Sequence, residues 1–269
     1  MGLKAVSMMV GLFVSAIAGM GEAQAKPETR ALTWTEGGVT FEGALVFDRK
    51  KVKAKKGKVP GVLVVHQWMG PTANETMRAE MLAELGYVAL VADVYGKDVR
   101  PKDPASAGAA AGGLKKDRAL LRARLAKNLA VLLEQPEVDS AHVAAIGYCF
   151  GGTAVLELAR SGAAVAGVAS FHGGLDSPTP EDGKNIKAKV LVLHGAADPF
   201  VKAEDIGKFI AELDAAKVDW QMVSYAGAVH AFTQKEAGND PSKGAAYDAK
   251  ADARSWVHLN DFLHELFGR

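Results

Sequence analysis

The chain has 269 residues, of which 49% are hydrophobic and 23% are charged, and its formal net charge at pH 7 is +1. Such a composition excludes a disordered or fibrous chain, and so small a net charge gives no indication of the strongly basic face that nucleic-acid binding requires. The length suits a single α/β domain, which we expect to span residues 26–269.

Residues 1–25 have the pattern of a secretory signal peptide. A positive charge at Lys4 precedes an apolar stretch over residues 5–20, and residues 23–25 (Ala-Gln-Ala) match a cleavage site. The alternative is an uncleaved membrane anchor, but the apolar stretch is shorter than the roughly 20 residues that a membrane span needs. We therefore expect an exported protein, periplasmic or secreted, that is not bound to a membrane after cleavage.

The mature chain begins with a predicted β-hairpin. Residues 31–35 and 39–47 have strand patterns, and residues 36–38 (Glu-Gly-Gly) between them suit a tight turn. Residues 49–58 are rich in lysine and arginine. This run could bind an anionic partner, but charge runs usually face solvent, so we expect a solvated loop.

A strand, a helix and a second strand follow. The apolar runs at residues 60–66 and 87–93 are typical of strands buried on both faces of a parallel sheet, and residues 74–85 between them have the apolar spacing of a helix. Residues 95–113 have no usable periodicity, and we expect a long loop there. The helical spacing returns at residues 117–134.

The next predicted strand ends in the most informative stretch of the chain. Residues 143–146 are apolar, and residues 147–151 read Gly-Tyr-Cys-Phe-Gly, the cysteine counterpart of a nucleophile elbow. Glycines let the chain bend sharply there, and Cys149 would lie at the start of a helix over residues 150–161, whose unpaired N–H groups favour a negative charge. Free cysteines are also commonly buried for packing alone, so the motif needs support from the rest of the chain.

Cys149 is the only cysteine in the chain. Cysteines usually pair in an oxidising compartment, and a single cysteine cannot form an internal disulfide. An exported protein would therefore keep a free thiol where oxidation is a risk. This favours a catalytic role, although a well-buried thiol would also persist.

Strands alternate with helices through the remainder of the chain. Strands are predicted at residues 165–171, 189–193 and 220–225, and helices at residues 203–216 and 247–267. The alternation predicts an α/β fold with a mostly parallel central sheet and helices on both faces. In such folds the functional site lies outside the carboxyl ends of the strands.

Three chemically competent residues follow predicted strands in the order nucleophile, acid, histidine. They are Cys149, Asp198 and His230, the chain order of the catalytic triad in α/β hydrolases. Asp198, which precedes Pro199, could instead be a turn residue or a helix cap, and His230 could be an ordinary polar loop residue. Because three independent positions match one known geometry, we predict a triad of these three residues.

Three further histidines also end predicted strands. We interpret His66, His172 and His194 as hydrogen-bonded residues at the base of loops. A zinc site is the alternative, but the sequence has no close ligand pair such as His-x-x-x-His. We therefore expect no metal and no cofactor.

Five sequence blocks resemble those of the dienelactone hydrolase family. They are residues 66–70 (His-Gln-Trp-Met-Gly), 92–96 (Ala-Asp-Val-Tyr-Gly), 147–152 (Gly-Tyr-Cys-Phe-Gly-Gly), 194–198 (His-Gly-Ala-Ala-Asp) and 227–232 (Gly-Ala-Val-His-Ala-Phe). The resemblance covers nearly the whole mature chain. It implies the α/β-hydrolase fold and catalysis by Cys149, His230 and Asp198. It also implies an oxyanion hole formed by the backbone N–H groups of Phe150 and Trp68.

The substrate-binding positions differ from the pattern of the family. Its dienelactone hydrolases have a glutamate where Gln67 stands, and arginines that hold the substrate carboxylate near Lys97 and Gln234. Lys97 keeps the positive charge but not the bidentate fork of arginine, and Gln234 loses the charge. These differences leave the natural ester open.

Gln67 also bears on the state of the thiol. In the lactone hydrolases of the family, the glutamate is thought to hold the thiol neutral until substrate arrives. Gln67 has no proton-accepting carboxylate. We therefore expect Cys149 to rest as a thiolate paired with protonated His230, at the cost of easier oxidation.

The leading interpretation is a hydrolase of small esters or lactones that forms an acyl-thioester on its cysteine. One alternative is a broad carboxylesterase for uncharged esters, with a pocket lined by Trp68, Tyr95 and Phe232. The other is a member of the same fold that binds a small ligand without catalysis, because fold does not guarantee function. We expect a small-molecule substrate, no nucleic-acid partner and a monomeric protein.

Overall fold

The computed structural model describes residues 26–268. The predicted signal peptide, residues 1–25, lies outside the described residues, as does residue 269. Between residues 26 and 268, no helix combines the length and the apolar character that crossing a bilayer requires.

Eight strands of the described chain form one mixed sheet. Their bounds are Glu28–Glu36 (β1), Val39–Phe47 (β2), Val59–Val65 (β3), Val88–Ala92 (β4), Val138–Tyr148 (β5), Gly167–Phe171 (β6), Lys189–Gly195 (β7) and Trp220–Tyr225 (β8). The strand order is β1-β2-β4-β3-β5-β6-β7-β8. Strands β3 to β8 are parallel, whereas β1 and β2 form an antiparallel hairpin at one edge. The predicted hairpin and mostly parallel sheet are confirmed.

Seven α-helices lie within residues 26–268, six of them between strands and the last, α7, after β8. Their bounds are Arg49–Ala54 (α1), Ala73–Glu84 (α2), Pro104–Lys116 (α3), Arg118–Leu133 (α4), Phe150–Arg160 (α5), Ala203–Ala215 (α6) and Ala249–Phe267 (α7). Short 3-10 helices lie at Pro180–Asn185, Lys235–Ala237 and Pro241–Lys243.

The helices cover both faces of the sheet. On one face, Leu82 of α2 and Leu259 of α7 share a buried core with Val64 and Ile146 of the sheet. On the other face, apolar residues of α3, α4, α5 and α6 share a core with the alternate strand residues, such as Leu63. Successive side chains of a strand point to opposite faces, so one apolar strand supplies both cores. The predicted α/β-hydrolase fold is confirmed.

The prediction of a solvated loop at residues 49–58 is wrong for the first part, which forms α1. The carboxylate of Asp48 accepts hydrogen bonds from the backbone N–H groups of Lys50 and Lys51 and caps the helix. Val52 is buried, so the short helix packs against the hydrophobic core through this side chain. The sequence signal for this helix is its capping residue, Asp48, just before the charged run, and composition alone does not reveal it.

The prediction of a long loop at residues 95–113 is also wrong, because α3 begins at Pro104. Asp103 caps the helix, and a proline suits the first helical position because its missing N–H would have no partner there. The buried positions follow the helical spacing and are Ala107, Ala111 and Leu114. Two of the three are alanines. Alanine differs too little in hydrophobicity from the small residues around it for the helical period to be recognised in the sequence.

The strand order reverses between β3 and β5, which are neighbours in the sheet although β4 lies between them in the chain. The connections from these two strands leave in opposite directions, so a crevice opens between the loops at their carboxyl ends. The sequence blocks at residues 66–70 and 147–152 both begin at this crevice.

Candidate active site

Cys149 lies in a sharp turn between β5 and α5. Its φ angle of 54° falls in the left-handed region, which a non-glycine residue rarely adopts. Glycines make the turn possible, because a Cβ at Gly147 would overlap the carbonyl oxygen of Gly151, and a Cβ at Gly151 would overlap that of Val65. These close approaches are the physical reason for the Gly-x-Cys-x-Gly pattern.

The side chains of Cys149, His230 and Asp198 form a continuous series of contacts. His230 Nε2 lies 3.1 Å from Cys149 Sγ, and His230 Nδ1 lies 2.8 Å from Asp198 Oδ2. The other carboxylate oxygen of Asp198 accepts a 2.8 Å hydrogen bond from the Phe200 N–H. The structure thus brings together the three residues that chain order singled out, with the imidazole oriented toward the sulfur.

Backbone hydrogen bonds fix the two loops that carry the acid and the histidine. Asp198 follows β7, and its N–H donates to the Gly195 carbonyl at 3.0 Å. His230 follows β8, where its N–H donates to Gly244 at 3.1 Å and its carbonyl accepts from Ala246 at 3.0 Å. The imidazole is therefore attached to a backbone segment that is held on both sides.

The charges of the site favour a thiolate–imidazolium pair. Burial alone would raise the pKa of the Cys149 thiol, but His230 and the backbone N–H groups of Phe150 and Trp68 outweigh it and hold that pKa below its ordinary value. Burial alone would lower the pKa of His230, but the sulfur and the Asp198 carboxylate outweigh it and raise the pKa to about 10. Both shifts favour the resting thiolate expected from the sequence.

We expect Cys149 to become a thiolate at a lower pH than an ordinary cysteine does. Both partners are charged at pH values between the lowered pKa of the thiol and the His230 pKa of about 10. Below this pH range the sulfur takes up a proton, and above it His230 loses one. In His230→Gln the cation is absent and burial dominates, so the thiol pKa should rise above its ordinary value. Titration of the thiolate's ultraviolet absorbance in both proteins measures this, and identical titrations would contradict the ion pair.

The two residues predicted to form an oxyanion hole flank the sulfur. Phe150 begins α5, and Trp68 lies in the loop after β3. The Tyr95 hydroxyl donates a 2.9 Å hydrogen bond to the Trp68 carbonyl, and the Gln67 side-chain oxygen accepts one of 2.9 Å from the Met69 N–H. Tyr95 and Gln67 therefore fix the loop that presents the Trp68 N–H.

A cavity of about 610 Å³ opens onto Cys149. Its walls are mostly apolar, and two of its aromatic residues also face solvent, with Trp68 36% exposed and Phe200 62% exposed. Of the predicted substrate-binding residues, Gln67 and Gln234 line it. The size and the apolar walls suit a small organic molecule.

The structure does not bring Tyr95, Lys97 or Phe232 into the cavity wall. Tyr95 and Phe232 are buried behind it, and the Phe232 ring packs edge-on against His172 at 5.0 Å between ring centroids. Lys97 is exposed, and its backbone N–H donates to the carbonyl of Thr40 in β2. Lys97 therefore does not occupy the position expected for a substrate-binding cation.

Lys115 is a cavity residue that the sequence analysis missed. It lies in the last turn of α3, one helical turn after Ala111, which also lines the cavity. Its ammonium lies 3.5 Å from one oxygen of Asp176, whose other oxygen Arg118 holds at 2.6 Å. Recognition of α3 from its cap would have placed Ala111 and Lys115 on one face.

The three other strand-end histidines differ in their hydrogen bonds. His66 Nε2 accepts from the Val94 N–H at 3.3 Å, and His172 Nδ1 accepts from the Cys149 N–H at 3.1 Å. His194 Nδ1 is buried without a hydrogen-bond partner in the described part of the chain, so our interpretation does not extend to it. From residue 26 to residue 268, no group of three or more His, Cys, Asp or Glu side chains is arranged to hold a metal ion.

Comparisons with known proteins identify relatives of the chain. The model of the dienelactone hydrolase family matches residues 44–267. A similar solved structure is the crystal structure of a dienelactone hydrolase-like promiscuous phosphotriesterase from metagenomic libraries. Its sequence is 40% identical to this chain, and the two structures align with a TM-score of 0.84 over 90% of this chain and 100% of that chain. A carboxymethylenebutenolidase of Pseudomonas sp. is 31% identical over 156 residues, which are 55% of this chain and 64% of that protein. A Bradyrhizobium protein named "Probable 2-oxo-3-(5-oxofuran-2-ylidene)propanoate lactonase" is 26% identical over 215 residues, 76% of this chain and 85% of that protein.

Proposed function

Because the chain belongs to the dienelactone hydrolase family, we propose that it hydrolyses small esters or lactones with Cys149 as the nucleophile. The contacts of 3.1 Å from Cys149 to His230 and of 2.8 Å from His230 to Asp198 carry the proposal. A nucleophile, a base and an orienting carboxylate within hydrogen-bond reach are the arrangement that acyl transfer requires. The sulfur also faces a cavity large enough for a small substrate.

The first half of the proposed reaction forms an acyl-thioester. The Cys149 thiolate attacks the carbonyl carbon, and the resulting oxyanion accepts hydrogen bonds from the N–H groups of Phe150 and Trp68. The bond to the alcohol oxygen then breaks as the His230 imidazolium donates its proton to that oxygen. Cys149 now carries the acyl group, and His230 is neutral.

Water completes the reaction. His230, oriented by Asp198, removes a proton from a water molecule as its oxygen attacks the thioester carbonyl. The second tetrahedral intermediate expels the Cys149 thiolate and releases the acid, while the proton stays on His230 and restores the ion pair. A thiolate leaves more readily than an amine, so an amide would revert to starting material, and activated esters and lactones are the preferred substrates.

Hydrolysis of p-nitrophenyl acetate, followed by mass spectrometry of the protein, tests the proposal. We expect a burst of p-nitrophenol and a protein heavier by one acetyl group, which peptide mapping places on Cys149. Pretreatment with iodoacetamide, which alkylates the thiol, should abolish both signals. A fold that only binds ligands would give neither the burst nor the adduct, and this outcome would overturn the proposal.

A broad esterase is the second candidate, and the mostly apolar cavity without Lys97 favours it. The 40% identity to a promiscuous phosphotriesterase extends this candidate to phosphotriesters, whose phosphoryl oxygen could accept hydrogen bonds from the same two N–H groups. Values of kcat/KM for dienelactone, an uncharged p-nitrophenyl ester and a p-nitrophenyl phosphotriester decide between the candidates. Preference for dienelactone supports the narrower lactone hydrolase, and preference for the uncharged substrates supports the broad esterase.

Lys115 is expected to influence the charge preference of the cavity, because it is a cationic residue of the cavity wall, with its ammonium 3.5 Å from Asp176. The measurement is the ratio of kcat/KM for an anionic ester, p-nitrophenyl hemisuccinate, to that for neutral p-nitrophenyl butyrate. Lys115→Met should lower this ratio by roughly 10-fold, the effect of one hydrogen bond to a charged group. Lys116→Met is the matched control, because Lys116 is exposed on the same helical turn and does not line the cavity. Equal ratios in the wild type and Lys115→Met would exclude a contact between Lys115 and the anionic substrate.

We also propose that the protein is exported before it acts. The pattern of residues 1–25 supports this, because it combines a positive start, an apolar stretch and small residues at a cleavage position. Fractionation of the native cells and amino-terminal sequencing test it. We expect a mature protein beginning at Lys26 outside the cytoplasm, and recovery of the uncut chain in the cytoplasm would overturn the proposal.

A further inference from the structure

We propose that His172 is a positioning residue that fixes the Cys149 turn against the loop carrying His230. His172 exchanges no proton in the reaction proposed above. The inference rests on that proposed function, because it concerns the geometry of the same nucleophile.

The first contact joins His172 to the backbone of the nucleophile. The Cys149 N–H is shared between the Phe171 carbonyl at 3.0 Å and His172 Nδ1 at 3.1 Å. Because an N–H donates to it, Nδ1 must be unprotonated, and the neutral ring then carries its hydrogen on Nε2. The bond to Cys149 therefore sets the tautomer of His172.

The second contact joins His172 to the loop that follows β8. His172 Nε2 donates to the Thr233 hydroxyl oxygen at 2.8 Å. The Thr233 carbonyl accepts a 2.9 Å hydrogen bond from Arg78, which is buried and also paired with Asp252 of α7. The His172 and His230 ring centroids are 5.3 Å apart. One imidazole thus bridges the two segments whose separation sets the distance from the sulfur to His230.

The bridge lies between segments of strained backbone. The φ angles of Cys149, His172 and Ala231 are 54°, 39° and 58°, all in the left-handed region. Ala231 directly follows His230. Such conformations persist only where surrounding contacts impose them, and His172 supplies such contacts to Cys149 directly and to the His230 loop through Thr233.

His172 must stay neutral to make both contacts. Burial lowers its pKa well below the ordinary value, and the positive charges of His230 and Arg78 lower it further. A proton on Nδ1 would replace the acceptor of the Cys149 N–H with a second donor. The role of His172 is therefore geometric, and its substitution should act through the placement of the sulfur.

Three variants separate positioning from space filling. His172→Phe keeps a ring but removes both contacts. His172→Asn restores an acceptor near the position of Nδ1, and asparagine tolerates the left-handed backbone. His258→Phe is the control, because the His258 ring makes a 2.8 Å hydrogen bond with the Tyr225 hydroxyl but does not line the cavity.

The measurements are the burst rate with p-nitrophenyl acetate and the pH titration of the thiolate absorbance. We expect His172→Phe to slow acylation roughly 10- to 100-fold, the effect of a small misplacement of reacting groups. Its thiol pKa should also rise, because His230 and the two N–H groups no longer converge on the sulfur. His172→Asn, which regains the contact to Cys149 but not the one to Thr233, should recover part of the rate, and His258→Phe should react like the wild type.

Two results would overturn the inference. One is a wild-type burst rate and titration in His172→Phe, and the other is a folded His172→Asn protein as slow as His172→Phe. If His172→Phe fails to fold, Thr233→Val removes only the second contact, and an unchanged burst rate there would equally overturn the inference. If the wild-type protein forms no acyl-enzyme, the proposed function fails, and the titration of the variants still decides whether His172 positions the sulfur.

Discussion

Replacing Cys149 with alanine is expected to lower kcat/KM for activated esters by about 10⁴-fold or more. The substitution removes the attacking atom but leaves the cavity and the two N–H donors, which supply the remaining rate enhancement. Stopped-flow hydrolysis of p-nitrophenyl acetate, with thermal unfolding to show that the variant is folded, measures the effect. Wild-type turnover in Cys149→Ala would show that the nucleophile is elsewhere.

Cys149→Ser is the matched variant, because serine keeps the shape of the side chain and its contact with His230. A serine hydroxyl does not ionise at the pH values at which a cysteine thiol does. The resting ion pair is therefore lost, while the arrangement of the triad remains. We expect slow hydrolysis that increases with pH as His230 loses its proton and becomes able to accept one from the hydroxyl. A serine variant as fast as the wild type would show that the thiolate is not needed.

Replacing Arg160 with methionine is expected to lower the free energy of unfolding by about 3–5 kcal/mol. Arg160 is fully buried in α5 and donates two hydrogen bonds of 2.8 Å to Glu212 of α6 and one of 3.0 Å to Glu157. Methionine fills much of the same space but leaves the buried Glu212 carboxylate without its partner. Glu157 keeps a contact of 2.8 Å with Arg122. Urea unfolding monitored by circular dichroism measures the change.

Two further variants show whether the unpaired charge is the cause. Lys208→Ala breaks an exposed ion pair with Glu204 and should change stability little. The double variant Arg160→Met with Glu212→Leu removes both buried charges and should recover part of the loss. If the single and double variants are equally unstable, lost packing rather than an unpaired carboxylate is responsible.

The residues of the candidate triad could be found from the sequence because local patterns encode their placement. Cys149, Asp198 and His230 each follow a strand, and parallel strands bring their carboxyl ends to one edge of the sheet. The glycines beside Cys149 are required by close backbone contacts, so the motif has a physical reason that a single sequence can show. The fold class was predictable for a similar reason, since alternating strands and helices are recognised from short segments.

Only part of the cavity wall could be predicted, because the rest depends on how distant segments pack. Lys97 lies near the start of residues 95–113, which lacked a clear period, and Lys115 lies just after that region; only the formation of α3 shows which of the two reaches the cavity. That helix carries Lys115 to the cavity, while Lys97 remains outside, bound through its backbone to Thr40. The burial of Arg160 could not be predicted for the same reason, because its charge is paired with Glu212 in another helix. Lys97 therefore shows that a position next to a sequence motif does not by itself bring a side chain into the cavity.

The hairpin formed by β1 and β2 determines where the chain enters the fold. Glu28 pairs with Phe47, which in turn pairs with Val88 at the amino end of β4. The parallel strands run from that edge toward the edge where Cys149 lies, so the chain enters on the side opposite the cavity. A purification tag, a fusion partner or a surface linker joined before Lys26 would therefore hold the protein with its cavity turned away from the point of attachment and open to substrate.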